Sequence, residues 1–276
     1  MLLWTTAVTE QHRALLEDIK ATGYDGVEIP IFGGAPDDYS RLGRMLDEIG
    51  LERTGITAFI SPDINALSED AAMRREAADF VRNCIDCSAA LGSPQLMGPL
   101  HQTLGVFSGA GPTEAERSRA RDFHREIGDY AASNGNRIVL ESLNRFECYF
   151  VNTMDDLAAY LDSVAHPAIT GMYDTFHANI EEMDPVAAIG RNIRHIGHVH
   201  ISENDRGVPG RGHVPWEATF AALKQAGFDQ WLTIEAFGRS VPELAAATRA
   251  WRDFAESPEA VYREGFRTIK EGWAAA

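Results

Sequence analysis

Eight short apolar runs punctuate this chain at nearly even intervals, and each gives way to a longer stretch with helical periodicity. The runs are "LLWTTAV" (2–8), "GVEIPIF" (26–32), "ERTGITAFI" (52–60), "PQLMGPL" (94–100), "RIVLES" (137–142), "ITGMYDTF" (169–176), "IGHVHIS" (196–202) and "WLTIEAF" (231–237). Between them lie amphipathic segments such as "EQHRALLEDIKATGY" and "TMDDLAAYLDSV", several closing on Gly just before the next run. Strict alternation of this kind implies parallel strands joined by right-handed helical crossovers. Eight units in roughly 250 residues is the size of a (β/α)8 TIM barrel, so the expectation is one such domain over residues 1–276. A doubly wound open sheet normally carries a Gly-rich phosphate loop after its first strand, and "WTTAVTEQHR" has no glycine. No linker, low-complexity tract or composition shift divides the chain.

Parallel barrels place their chemistry at the C-terminal ends of the strands. The last four runs each end on a residue that can bind a proton or a metal: Glu141 in "RIVLE", Asp174 in "ITGMYD", His200 in "IGHVH" and Glu235 in "WLTIE". One acid at a strand end caps a helix or accepts a loop hydrogen bond often enough to mean little. Four on successive strands converge on one mouth. Three carboxylates there repel and raise one another's pKa values unless a countercharge intervenes. A divalent cation removes the conflict, and three carboxylates with one imidazole make a hard, oxygen-rich donor set suited to Mn²⁺, Mg²⁺ or Co²⁺.

Further polar residues fall beside these ends. Glu147 lies six residues past Glu141, His177 three past Asp174 and Arg206 six past His200. Together they would ring the pocket with hydrogen-bonding groups aimed at a polyol or carbonyl. Each also has an ordinary explanation: Arg206 as a solvated turn residue beside Asp205, His177 as the start of the next helix, Glu147 as a partner of Arg145.

Composition narrows the partners. The formal charge of -16 opposes nucleic acid, whose binding requires clustered Lys and Arg. No run approaches the roughly 18 uninterrupted apolar residues of a membrane span, and "MLLWTTAVTEQHRALL" lacks the basic n-region of a signal peptide. The expected setting is the cytoplasm. Of three cysteines, Cys84 and Cys87 have CxxC spacing but sit mid-helix with no second pair or His cluster, so they read as buried helix residues.

Four motifs, "VLESLNRFECYFVNT", "MYDTFHANIEE", "HVHISENDRGVPGRGHVPW" and "TIEAFGR", resemble the D-tagatose/D-psicose 3-epimerase family of ketose 3-epimerases, within the xylose-isomerase-like TIM barrels. The resemblance is dense from Arg137 to Arg239; over the first hundred residues it rests on pattern, chiefly "GVEI". It implies one divalent metal ion per subunit, Mn²⁺ first and Co²⁺ or Mg²⁺ next, on Glu141, Asp174, His200 and Glu235. It further implies substrate contacts from Glu147, His177 and Arg206, and a homodimer or homotetramer. Separately, no phosphate-cradling Gly-rich loop stands out in the sequence, which favours a free, unphosphorylated sugar as substrate. The implied chemistry inverts C3 of a 2-ketose through an enediolate, with Glu141 and Glu235 as the two flanking acid–base groups. Two departures stand out: "MGPLHQTLGVF" replaces an aromatic-rich stretch after the fourth run, and "EAF" replaces the more usual "EPF". The alternatives are an aldose–ketose or hydroxypyruvate-type isomerase, an inosose-type dehydratase, and a catalytically silent sugar-binding barrel. An abasic-site endonuclease, which needs more His ligands and a basic groove, fits the charge poorly.

Overall fold

The computed structural model describes residues 1–276 and contains one sheet of seven parallel strands in sequential order. These are β1 (Gly26–Pro30), β2 (Glu52–Ile56), β3 (Gln95–Gly98), β4 (Arg137–Glu141), β5 (Ile169–Asp174), β6 (Ile196–Ile201) and β7 (Leu232–Ile234). Ten α-helices accompany them: α1 (Arg13–Thr22), α2 (Pro36–Ile49), α3 (Ala71–Leu91), α4 (Glu114–Ser133), α5 (Met154–Val164), α6 (Thr175–Glu181), α7 (Pro185–Asn192), α8 (Trp216–Gln225), α9 (Pro242–Thr248) and α10 (Pro258–Ala275). The result is a TIM barrel fold, nearly closed.

The helices start and stop where local chemistry dictates. Thr113 and Glu116 form a reciprocal capping box on α4, and Asp70, Thr153, Asp184 and Ser257 accept backbone N–H bonds at the starts of α3, α5, α7 and α10. Each such cap contributes about 1 kcal/mol. Gly23, Gly50 and Gly92 end α1, α2 and α3 in the left-handed region. The tail "NIEE", whose acids suggest the start of the outer helix, instead closes the short α6. The outer helix begins at Pro185, where Asp184 caps and proline suits the first turn.

Side chains alternate between two environments along each strand. Ile138, Leu140, Val199 and Ile201 join the 46-residue apolar layer beneath the helices, whereas Ile56, Met97, Val139 and Met172 form a separate plug inside the barrel. The cysteines are buried and unpaired as expected. Burial pushes the Cys84 thiol up to about 12 and the Cys87 thiol up to about 11, which keeps both protonated.

The first run departs from expectation. Residues 2–8 form turns rather than a strand, because Trp4 and Thr5 donate their N–H groups back to the Met1 carbonyl at 3.0 and 3.3 Å. Short apolar runs bury equally well in turns, and periodicity cannot separate the two. Leu2 packs against the interior plug and Leu3 against Val208, Ala236 and Val261. The strand edges β1 and β7 stay unpaired with each other, and a cavity of about 770 Å³ opens between them, bordered by Trp4, Tyr24, Trp231 and Phe266.

One glycine at the base of the site is irreplaceable on geometric grounds. Gly98 ends β3 at φ +134°, and a Cβ there would lie 1.9 Å from the Thr57 carbonyl oxygen. We expect Gly98→Ala to destabilise the fold by on the order of 3 kcal/mol, since strain and a backbone clash add. Urea denaturation measures this, and a midpoint equal to the parent's would contradict it.

Candidate metal and substrate site

The ends of β4 to β7 bring the four expected residues together. One ligand atom from each of Glu141, Asp174, His200 and Glu235 lies within 4.8 Å of the others, and all four residues are buried. The Nδ1 atom of His200 is 3.5 Å from Glu235 Oε2, 3.7 Å from Asp174 Oδ2 and 3.9 Å from Glu141 Oε1. Glu235 stands one residue beyond β7, and its N–H still reaches the Ile201 carbonyl at 3.3 Å.

Asp174 divides its carboxylate between two tasks. Its Oδ1 caps α6 by accepting the Phe176 N–H at 2.6 Å, while Oδ2 faces the centre. Three carboxylates this close repel by about 3–4 kcal/mol per pair at an effective dielectric of about 20. Together that approaches the whole stability of a typical domain. Arg206 supplies part of the countercharge, its Nη1 donating to Glu235 Oε2 at 2.6 Å, Asp174 Oδ2 at 2.8 Å and Ser202 Oγ at 2.9 Å. Its guanidinium carbon lies 3.9 Å above the Phe176 ring and 5.1 Å from that of Phe237, so two aromatic faces hold it.

The carboxyl groups are driven apart in acidity. Burial, then the nearby charges of Glu235 and Asp174, raise Glu141 well above the usual carboxylate range. For Asp174 burial acts the same way but is outweighed by Arg206, His177 and His200, which hold it well below that range. Burial lowers His177, whose Nδ1 accepts the Asn144 N–H at 3.0 Å. The Nε2 face of His177 therefore points into the site, 3.0 Å from Arg206 Nη2 and 3.6 Å from Glu141 Oε1.

Donor chemistry fits a hard divalent cation. Glu141 Oε1 and His200 Nδ1 face the centre, buried and with no hydrogen-bond partner, whereas buried polar atoms are almost always paired. Above this cluster a cleft is lined by Glu141, Glu147, His177, Arg206 and Glu235, with Phe32, Ile60, Phe176 and Phe237 among its apolar walls. Thus the three residues expected to ring the pocket do so. Arg206 is buried, not a solvated turn residue; Glu147 accepts from Asn144 Nδ2 at 2.8 Å; and Arg145 pairs with Glu181 instead.

The model of the family described as xylose isomerase-like TIM barrel matches residues 16–272. The chain belongs to the xylose isomerase-like TIM barrel family. Among its relatives, a probable ketose 3-epimerase of Synechocystis sp. is 29% identical over 269 residues, covering 98% of this chain and 93% of that protein. An L-ribulose 3-epimerase of Methylomonas sp. (strain DH-1) is 30% identical over 251 residues, covering 90% of this chain and 87% of the relative. A solved structure of a D-allulose 3-epimerase from Methylomonas sp. in complex with D-allulose matches with a TM-score of 0.91 at 28% identity, over 98% of this chain and 94% of that one. These relatives are named as epimerases, which are isomerases.

Sequence reasoning passed over several residues of this xylose isomerase-like barrel. Glu28 and His198 lie inside it beside His200, and Asn144 orients His177. A signal existed for two of them: an acid interrupts the apolar run "GVEIP", and alternation in "IGHVHI" puts His198 on the same face as His200.

Proposed function

We propose that this protein is a metal-dependent ketose 3-epimerase acting on a free 2-ketose, with residues 1–276 serving as one domain. The observation that carries the reading is the convergence of Glu141, Asp174, His200 and Glu235 within 4.8 Å beneath a cleft ringed by Glu147, His177 and Arg206. The names of the relatives support the substrate class. In this reading the four clustered residues hold one divalent cation, Mn²⁺ first and Co²⁺ or Mg²⁺ next. Such an ion, when bound, supplies Lewis acidity to the sugar oxygens on C2 and C3.

The proton on C3 is acidified by the adjacent C2 carbonyl. One of Glu141 and Glu235 takes it, giving an enediolate of the sugar, and the other returns a proton to the opposite face; the roles exchange in the reverse direction. His177 and Arg206 donate hydrogen bonds to the C1–C2 end, and Glu147 accepts from a sugar hydroxyl. Beside His177, Arg206 is the single basic residue of the cleft, and its Nη1 is already engaged by Asp174 and Glu235. No spare cation is left to recognise a phosphate, which favours unphosphorylated sugars. A homodimer or homotetramer accompanies this reading.

The test is product identity. Incubating the protein and Mn²⁺ in ²H₂O with L-ribulose, D-allulose and other ketoses, free and phosphorylated, is expected to give the C3 epimer of a free ketose carrying deuterium at C3. An aldose product would move the assignment to isomerase chemistry. Loss of water would move it to dehydration. Binding without turnover under any metal would leave a sugar-binding barrel.

A further inference from the structure

A line of buried polar side chains runs through the barrel interior from the candidate metal cluster toward the N-terminal ends of the strands. His200 Nε2 lies 3.2 Å from Glu28 Oε2, the same oxygen lies 3.5 Å from His198 Nε2, and His198 Nδ1 lies 2.9 Å from Gln95 Nε2. Gln95 Oε1 in turn accepts from Arg137 Nη2 at 2.6 Å and Nε at 3.0 Å. Glu28, Gln95, His198 and His200 are all at most 5% exposed. Such a chain is costly to bury unless its donors and acceptors match.

Hydrogen-bond direction propagates along it from one end. Arg137 has only donors, so the Gln95 oxygen faces it and the Gln95 amide NH₂ faces His198. His198 Nδ1 is therefore an acceptor, and its proton sits on Nε2, which lies 3.5 Å from Glu28 Oε2 without completing a hydrogen bond to it. A carboxylate only accepts, so His200 presents Nε2–H to Glu28. That leaves Nδ1 of His200 as the nitrogen facing Glu141, Asp174 and Glu235, at 3.9, 3.7 and 3.5 Å. Thr54, the register partner of Glu28, adds a hydroxyl 3.5 Å from the same carboxylate oxygen.

We propose that Glu28 is a positioning residue for the metal centre: held by His198, Gln95 and Arg137, its carboxylate fixes the tautomer and ring orientation of His200 so that Nδ1 is the metal-binding atom. The proposal rests on the metal site described above and extends it to residues on β1, β3, β4 and the lower part of β6. Outer partners of this kind typically change metal affinity by about 10- to 100-fold when removed. Glu28, His198 and His200 also lie close enough to suggest a second ion. That arrangement would require His200 to bind metal through both ring nitrogens, and the relay assigns its Nε2 to a proton instead.

The experiment titrates Mn²⁺ into the metal-free full chain by electron paramagnetic resonance, for the parent, Glu28→Gln and Gln95→Met, with ¹⁵N-histidine spectra of each protein loaded with diamagnetic Mg²⁺. The parent is expected to bind one equivalent and, when loaded with Mg²⁺, to show His200 protonated on Nε2 alone. Glu28→Gln is expected to bind about 10- to 100-fold more weakly and to lose that single-tautomer signature. Gln95→Met, which releases His198 without touching His200, is expected to weaken binding severalfold. Should Glu28→Gln fail to fold, Gln95→Met decides the matter by the same two readouts. Unchanged affinity and tautomer in the folded variants would overturn the positioning role while leaving the metal site standing. Two equivalents in the parent would also overturn it. A parent that takes up no Mn²⁺ would instead sink the metal reading on which it rests.

Discussion

Replacing Glu141 or Glu235 by Gln is expected to leave the barrel folded and to lower kcat by about 10³-fold or more, the scale of losing a proton-transfer group. The substitution is nearly isosteric, so packing around both buried positions is retained. For Glu141 it also removes a charge that burial, Glu235 and Asp174 already disfavour. The thermal midpoint of metal-free Glu141→Gln should therefore equal or exceed the parent's, which separates lost chemistry from lost structure. Both residues are also proposed metal ligands, so turnover must be read at saturating Mn²⁺ with bound metal counted. Near-parental epimerisation by either metal-loaded variant would refute its place as a flanking acid–base group.

Extensive chelation is expected to abolish turnover, and Mn²⁺ or Co²⁺ to restore it. The same ions should stabilise the fold, since a ligand at about 100 times its Kd adds about 2.7 kcal/mol. For a chain of this size that corresponds to a rise in Tm of several degrees. The physical basis is the mutual repulsion of three carboxylates within 4.8 Å, which Arg206 offsets only in part. The cluster holds no soft thiolate, and its three carboxylates suit hard, oxygen-seeking ions. A preparation stripped of metal yet fully active in the ketose assay would end this argument.

Glu141, Asp174, His200 and Glu235 were legible as a set because parallel strands all point the same way. Once alternation assigns the strands, any polar residue closing an apolar run must stand at the mouth. The tight cluster on β4 to β7 follows from that rule and from nothing longer in range. Glu147, His177 and Arg206 were legible for the same reason, being a few residues beyond those ends. "LLWTTAV" misled because a strand is defined by its hydrogen-bonding neighbours, and residues 2–8 turn back on the Met1 carbonyl rather than bridging β1 and β7.

Sequence alone determined the barrel class and the mouth residues, since both depend on periodicity and order along the chain. Tertiary structure decided what lies across the interior. Glu28 meets His200 across 172 positions of sequence, and Gln95 meets His198 across 103. Closing the sheet around them makes those pairs neighbours, and no local pattern encodes such a contact. The same closure decided that Arg206 spans Asp174 and Glu235 between two aromatic rings, and which nitrogen of His200 faces the carboxylates.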